Sequence, residues 1–531
     1  DDRVDADLHL LLGMAFQLNY DFKESVREYS IHLDDIRKFH PDYSNEQMDS
    51  VTSFLNKRID ECNTAMELIK NPVRVFIDNL QDSINTEYPE YAPIITADES
   101  ALIFTSRRPG TTGGLPSEID HNYYEDIYLS KKENDKWSMA VNMGNPVNAR
   151  TNDAAAGISL DGQKLFVYRD HNGGDLYLSK LKGDKWSKPK NLGVIINTAY
   201  HESYASYSYD QKSIFFVSSR KDSSNIGGKD IYQCKLDKKG RCKDLYNLGP
   251  EINTPYDEAC VFAHPDGKTL YFSSKGHNTM GGYDIFKSTY FNGSWGKAEN
   301  PGYPINTVED DVSFSITANN KKGYYSSSKS GGFGGKDIYT ITFLGNEKEG
   351  IINTEDNLIA EKTNPIKERV IEPAVPLRKN QLTILKGIIT DAITLDPLNA
   401  TVELFDNEKN EAVWSFESNS ATGKYLVSLP SGKNYGLSVK SKGYLFYSEN
   451  FIIPASADYQ VIIKDIGLNK LDVGSKVILK NIFFDTAKDS LRSESFSELA
   501  RLKKLLDDFP YLRIEISGHT DNVGSEIYNQ G

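Results

Sequence analysis

The residues able to do chemistry gather in two places. Near the C-terminus, Ser517-Gly518-His519-Thr520-Asp521-Asn522 sets an imidazole beside a hydroxyl and a carboxylate. General-base work by His519 requires a nucleophile within hydrogen-bond reach. None accompanies it, so a structural hydrogen bond is its expected role. Farther upstream, Glu202, Asp257, Glu258, Asp310 and Asp311 open successive similar segments. Two carboxylates converging on one sugar would suit glycoside hydrolysis. These acids recur segment by segment, whereas a catalytic set normally breaks such symmetry, so they are expected to hold structure.

Glycine pairs and cysteines are weaker signals. Gly173-Gly174, Gly227-Gly228, Gly281-Gly282 and Gly334-Gly335 could cradle phosphate, but none is followed by Lys-Ser/Thr and a helix. Positive φ in a loop is their expected use. The four cysteines make no disulfide framework. Cys62 lies on an apolar helical stripe, while Cys234 and Cys242 flank Lys238-Lys239-Gly240 and can face each other across a hairpin, where an oxidising compartment would bridge them. No Cys/His spacing reads as zinc, and neither metal nor cofactor is expected.

The balance of 61 basic against 75 acidic residues gives −14. No basic stripe is present to neutralise phosphates, which argues against nucleic acid. No apolar run approaches the ~20 residues that span a bilayer as a helix. Asp1 opens the sequence without a signal-peptide pattern, as expected of a processed protein or fragment as much as of a cytosolic one.

The elements that must carry these groups show a repeat. Asp126-Ile127-Tyr128, Asp175-Leu176-Tyr177, Asp230-Ile231-Tyr232, Asp284-Ile285-Phe286 and Asp337-Ile338-Tyr339 are separated by 49, 55, 54 and 53 residues. A period of about fifty filled with short strands means propeller blades. Each unit reads as a small-residue inner strand, a turn (Asp161-Gly162, Asp210-Gln211, Asp266-Gly267 or Asn320-Lys321), a Phe/Tyr-rich strand, the Asp-Ile-Tyr strand and a fourth strand at Lys136-Trp137, Lys185-Trp186 or Ser294-Trp295. Ile-Asn-Thr then leads to the next unit. The Asp of Asp-Ile-Tyr is expected to bond neighbouring backbone. The fifth unit lacks its fourth strand, and 73–80 supplies an orphan one upstream of the first. Pairing them closes a five-bladed β-propeller over 73–343 and removes its edges. The unit, with Ser-Ser-Arg and Gly-Gly-x-Asp-Ile-Tyr, resembles the WD-like repeats of the TolB type.

Residues 1–72 read as three helices. Leu12-Gly13, Phe16 and Tyr29 fall where a tetratricopeptide helix pair places its packing residues, with Ser25 in the small position, and the domain resembles that family. Met48, Val51, Leu55, Ile59, Cys62, Met66 and Ile69 stripe the third helix, with Asn45 as its cap and Asn71-Pro72 as its stop. The stretch 344–380 is a charged, proline-broken linker. About seven short strands over 381–470 predict a β-sandwich, and Gly387-x-Ile-x-Asp391, Pro397-Leu398 and the Gly-Tyr pairs resemble the carboxypeptidase regulatory-like domain, implying a spacer without peptidase chemistry.

Residues 471–531 read as strand 477–484, a helix with Ser495 and Glu498 as capping box, strand 511–516 and a turn into a second helix, the start of an α/β domain. Asn481-Ile482-Phe483-Phe484-Asp485 and Ser517-Gly518-His519-Thr520-Asp521-Asn522 resemble the OmpA C-terminal family. The resemblance implies non-covalent binding of the diaminopimelate residue of the peptidoglycan stem peptide. In it Asp521 takes the free amine, Asp485, Thr520 and Asn529 line the pocket, and backbone N–H groups after Asp521 face the carboxylate. The family's arginine would follow Gly531, so this sequence carries an incomplete domain and half of the clamp.

The order of modules resembles the PorE-type multidomain OmpA-family lipoproteins of Bacteroidetes, associated with the type IX secretion system. The resemblance implies a non-enzymatic periplasmic adaptor, held at the outer membrane by an N-terminal lipid. It would anchor secretion proteins, docked on propeller and helices, to peptidoglycan. The alternatives are a peptide- or glycan-sensing propeller and a hydrolase using the channel acids.

Overall fold

The structure, a computed structural model, describes residues 6–344 and 381–517 apart from 41, 115, 118, 119, 330, 410, 473, 486, 487 and 489. The expected linker lies outside them except for Leu344. The described chain is mostly β, with several sheets and a few helices, and divides into two compact units.

The first unit begins with α1 (Ala6–Leu18), α2 (Phe22–Phe39) and α3 (Asn45–Lys70). Tyr29, Leu33, Leu55, Cys62 and Ala65 form their buried seam, joined by Met280 and Val308 from the β region. Gly13 is required where α1 crosses α2, because a Cβ there would stand 2.6 Å from the Tyr29 ring. Ser25 fills the small position and donates to Gly13 O at 2.7 Å. The cap of α3 is Ser44, not Asn45: Gln47 N donates to Ser44 Oγ at 3.2 Å and Ser44 N to Gln47 Oε1 at 2.9 Å. Ser-x-x-Gln satisfies two orphan N–H groups reciprocally, which a lone Asn cannot do.

A propeller-like ring follows. Its inner strands are Glu90–Ile95, Asp153–Ile158, Glu202–Tyr207, Glu258–Ala263 and Val312–Ile316, each heading an antiparallel sheet. Each inner strand packs on the next, and the last packs on the first. In the fifth sheet Val75–Asn79 pairs antiparallel with Asp337–Phe343, from Val75↔Phe343 to Asn79↔Tyr339. In the first two sheets the fourth position is two short pieces; Lys136–Trp137 and Val141–Asn142 both pair with Asp126–Glu133. The turn of the fifth repeat is Asn319-Asn320, one residue earlier than expected, because Asn319 Oδ1 takes the Lys321 N–H and Asn320 holds the left-handed conformation.

Most of the paired glycines also serve a different purpose from the one expected. Only Gly173 and Gly174 have positive φ. At Gly227 and Gly281 a Cβ would lie 2.1 Å from Thr254 O and 2.3 Å from Val308 O, so the junction to the next sheet leaves no room for a side chain. Close backbone approach, not turn conformation, demands these glycines.

One end of the ring is covered. Leu382–Asp391 pairs antiparallel with Lys424–Pro430 and parallel with Gln460–Ile463. Leu382, Ile384, Leu426 and Tyr459 from this sheet pack against Ala97, Leu160 and Ala318, which follow three inner strands. Ser428 Oγ donates to Pro265 O (2.6 Å), Asn419 Nδ2 to Gly183 O (2.8 Å) and Lys386 Nζ to Asp98 Oδ2 (3.2 Å).

The second unit holds the sheet Glu411–Glu417, Thr401–Asp406, Lys433–Lys440 and Tyr447–Ile453, in that order, and α4 (Phe496–Asp508). Arg501 stacks 4.6 Å over Phe405 and pairs with Glu498. The strands expected over 477–484 and 511–516 are absent from these described segments, where only a Phe484↔Leu491 bridge forms. A strand persists only when paired; here Ile478, Tyr511 and Ile516 are exposed without a sheet partner. Ser495 is also no capping box: its hydroxyl takes the Phe483 N–H (2.7 Å) and makes no cap bond.

Candidate functional site

Of the C-terminal residues, the structure places Asp485 alone; Thr520, Asp521, Asn529 and His519 lie outside the described residues. Asp485 is half exposed, accepts from Lys488 Nζ at 3.1 Å and stands 3.8 Å from Arg492 Nε. Such exposed pairs hold weakly and leave a carboxylate available.

Of the five acids singled out in the ring, Glu202, Glu258 and Asp311 are buried with definite partners, whereas Asp257 and Asp310 are half-buried, Asp310 accepting the Tyr283 N–H at 3.0 Å. Glu258 accepts from Thr254 N (3.1 Å), Thr254 Oγ1 (2.7 Å) and Ser274 Oγ (2.8 Å). Glu202 takes the same three donors from Thr198 and Ser218, and Glu90 from Thr86 and Ser106. Asp311 accepts twice from Thr307. In the second sheet, where Ala149 stands in place of Thr, Asp153 takes the Ala149 N–H and the Arg169 guanidinium at 2.6 Å. Burial pushes the Glu258 carboxyl up to about 8 and Asp311 to about 6. Each of the buried acids therefore ties the start of an inner strand to the preceding junction.

The Asn of that junction ties the sheet before it. Asn253 Oδ1 accepts the Ile231 N–H (2.8 Å), and its Nδ2 donates to Ile231 O (3.0 Å) and Asn247 Oδ1 (2.8 Å). Asn148, Asn197, Asn306 and Asn85 clasp Ile127, Leu176, Ile285 and Ile338 alike. The Asp of Asp-Ile-Tyr completes the staple. Asp230 Oδ2 accepts from Ile226 N and Asn247 Nδ2, both at 2.7 Å. Ile-Asn-Thr thus joins one sheet through its Asn and the next through its Thr.

The bore is nearly filled. Ala92, Tyr204, Cys260 and Ser313 sit in left-handed conformation, φ 52°, 41°, 48° and 60°, at bulges where inner-strand register slips. Tyr204 spans the axis to Ser313 Oγ at 2.9 Å, and Cys260 Sγ lies 3.3 Å from the same hydroxyl. The remaining space, about 30 Å³, suits one water. Sequence reasoning misses these bulges; their only trace is that apolar alternation slips within each inner strand.

Symmetry breaks at the end away from the covering sheet. The same backbone bond recurs five times, from the inner acid's N–H to the carbonyl of Glu125, Gly174, Lys229, Tyr283 or Lys336. Those five residues share no side-chain chemistry, although their backbones do one job.

No family model matches the chain, and no curated protein matches it. Among solved structures, TolB from Acinetobacter baumannii is 15% identical over 49% of this chain and 56% of its own, with TM-score 0.32. The chain thus spans little more than half of that protein. An alpha-L-arabinofuranosidase from Lactobacillus brevis is 14% identical over 51% of this chain and 94% of its own, with TM-score 0.33. A GH43 beta-xylosidase/alpha-arabinofuranosidase from a compost microbial metagenome is 11% identical over 51% of this chain and 94% of its own, with TM-score 0.34. At these values the likenesses add nothing to what the five sheets show, and they carry nothing about activity.

Proposed function

We propose that the chain is a non-enzymatic scaffold built on a five-bladed β-propeller. In this reading an OmpA-like C-terminal segment holds peptidoglycan, and the propeller and helices dock proteins of the type IX secretion apparatus in the periplasm, at the outer membrane. The observation that carries it is the use of the ring acids. Glu90, Asp153, Glu202, Glu258 and Asp311 are all buried, each accepting from its own junction, and Tyr204 closes the bore beside them. Acids placed to bind blades together serve a rigid hub. The Cys234–Cys242 disulfide, with Cα atoms 5.7 Å apart across the hairpin, is in keeping with an oxidising compartment. The wall-binding arm rests on the resemblance at Asn481–Asp485 and Ser517–Asn522, in which Asp521 takes the diaminopimelate amine and Asp485, Thr520 and Asn529 line the pocket.

The test is co-sedimentation with purified peptidoglycan. Wild-type protein should pellet and Asp521→Ala should stay in the supernatant. Equal retention of both would sink the assignment.

A further inference from the structure

A cavity of about 500 Å³ lies between α3 and the fourth sheet of the ring and belongs to neither the staples nor the C-terminal segment. This is the size of a small-molecule site. One wall is α3. Thr52, Asn56, Asp60 and Thr64 follow one another at four-residue spacing, so they stand in one row. The other wall is Tyr256, His277 and Thr279. Among the described residues lining it, none is aliphatic.

The floor is built rather than incidental. Glu61 and Thr279 are 4% and 1% exposed. Lys57 Nζ donates to Thr279 Oγ1 at 2.7 Å, stands 3.7 Å from Glu61 and lies 5.0 Å over the Tyr256 ring. Glu61 is also bound by Arg58 at 2.9 Å and Gln17 at 3.3 Å. The charges of the floor are therefore spent on each other. What remains for a ligand is a row of hydroxyl, amide and carboxylate groups and an aromatic ring that is 39% exposed.

The lining excludes several occupants. A lipid or apolar ligand would find no aliphatic wall. An anion would meet Asp49, Asp60 and Glu61 against a lysine already paired. An extended peptide is usually held by a free strand edge or by apolar side-chain pockets, and a helix face offers neither. A neutral sugar meets both needs of the site: its hydroxyls bond carboxylate and amide side chains pairwise, and its apolar C–H face packs on an aromatic ring.

We propose that this groove binds a neutral oligosaccharide, with Tyr256 as stacking platform and Asn56 and Asp60 as hydroxyl partners. The proposal does not depend on the C-terminal reading, because both walls lie outside that segment.

The test is calorimetric titration of the whole protein with chitohexaose, cellohexaose and maltohexaose, and with decalysine as a cationic peptide. At least one oligosaccharide should bind saturably, and Tyr256→Ala and Asp60→Ala should each weaken it about tenfold or more. Asp60 is exposed on its helix, so its variant keeps the test valid should Tyr256→Ala unfold. Val194→Ser, at a residue 89% exposed elsewhere on the ring, should change nothing. Failure of all three oligosaccharides to bind, binding untouched by both groove variants, or binding of decalysine alone would overturn the proposal.

Discussion

Replacing Asn253 by Ala tests the staple that joins the third and fourth sheets. Asn253 is 1% exposed and bonds Ile231 N, Ile231 O and Asn247 Oδ1 at 2.8–3.0 Å. Alanine leaves the buried Ile231 N–H without a partner, at a cost of about 1–3 kcal/mol when water cannot replace the lost bond. It also takes one of two donors from Ile231 O, which keeps Leu248 N at 3.2 Å, and from Asn247 Oδ1, which keeps Gly249 N at 2.8 Å. With about 0.5 kcal/mol for each of the two lost donor bonds, the total is roughly 3 kcal/mol. At about 2–4 °C per kcal/mol for a domain of this class, the ring should melt roughly 10 °C lower. Asn253→Asp keeps the acceptor for Ile231 N and loses both donors, so it should fall between. Trp137, Trp186 and Trp295 lie in the ring and Trp414 outside it, so tryptophan fluorescence in a urea titration reports mainly on the ring. Amide exchange at Ile231 should rise with the loss. A change within about 0.5 kcal/mol, as an ordinary surface substitution gives, would refute the staple.

Stability should also depend on pH through the buried ring acids. Burial raises Glu258 to about 8 and Asp311 to about 6. The folded state keeps these protons after the unfolded chain has released them near pH 4, so their contribution is full below pH ~4 and is lost as pH rises toward ~8. Urea midpoints should therefore fall across that window, and Glu258→Gln should flatten the slope at its upper end. Replacing both Cys234 and Cys242 by Ser should cost about 2–3 kcal/mol, the value for so short a loop, read from the same titration. Ile384→Ala removes a fully buried contact between the covering sheet and the ring. It should cost about 2–5 kcal/mol and make the sheet susceptible to limited proteolysis before the ring unfolds.

What is legible in the sequence is local, and what is not is set by neighbours in space. Asp-Ile-Tyr and Ile-Asn-Thr stand out because each works within a few residues of hydrophobic alternation and turn chemistry. The orphan strand is readable because 337–343 lacks an outer neighbour of its own, and Val75–Asn79 occupies that place. Gly173 and Gly174 hold the positive φ their type suggests, whereas Gly227 and Gly281 mislead because their constraint comes from Thr254 O and Val308 O in the next junction, which no local pattern displays. Asn45 competes with Ser44 for the cap by residue type alone; the reciprocal bond to Gln47 decides for Ser44. The covering sheet reads as a spacer, yet Leu382 and Ile384 face Ala97 and Ala318; alternation shows that a strand has an apolar face, not what covers it. Strands at 477–484 and 511–516 follow from composition, but strand formation is decided by pairing, and Ile478, Tyr511 and Ile516 are exposed. Asp485 is singled out by resemblance alone. Its surroundings of Lys488 and Arg492 would not mark it.

The most direct measurement is an NMR titration of the isotope-labelled whole protein with the soluble diaminopimelate-containing tripeptide of peptidoglycan. Shift changes confined to residues 481–531, lost in Asp521→Ala, with the ligand recovered intact, are the predicted result. Changes centred on the ring, or consumption of the ligand, would contradict the account.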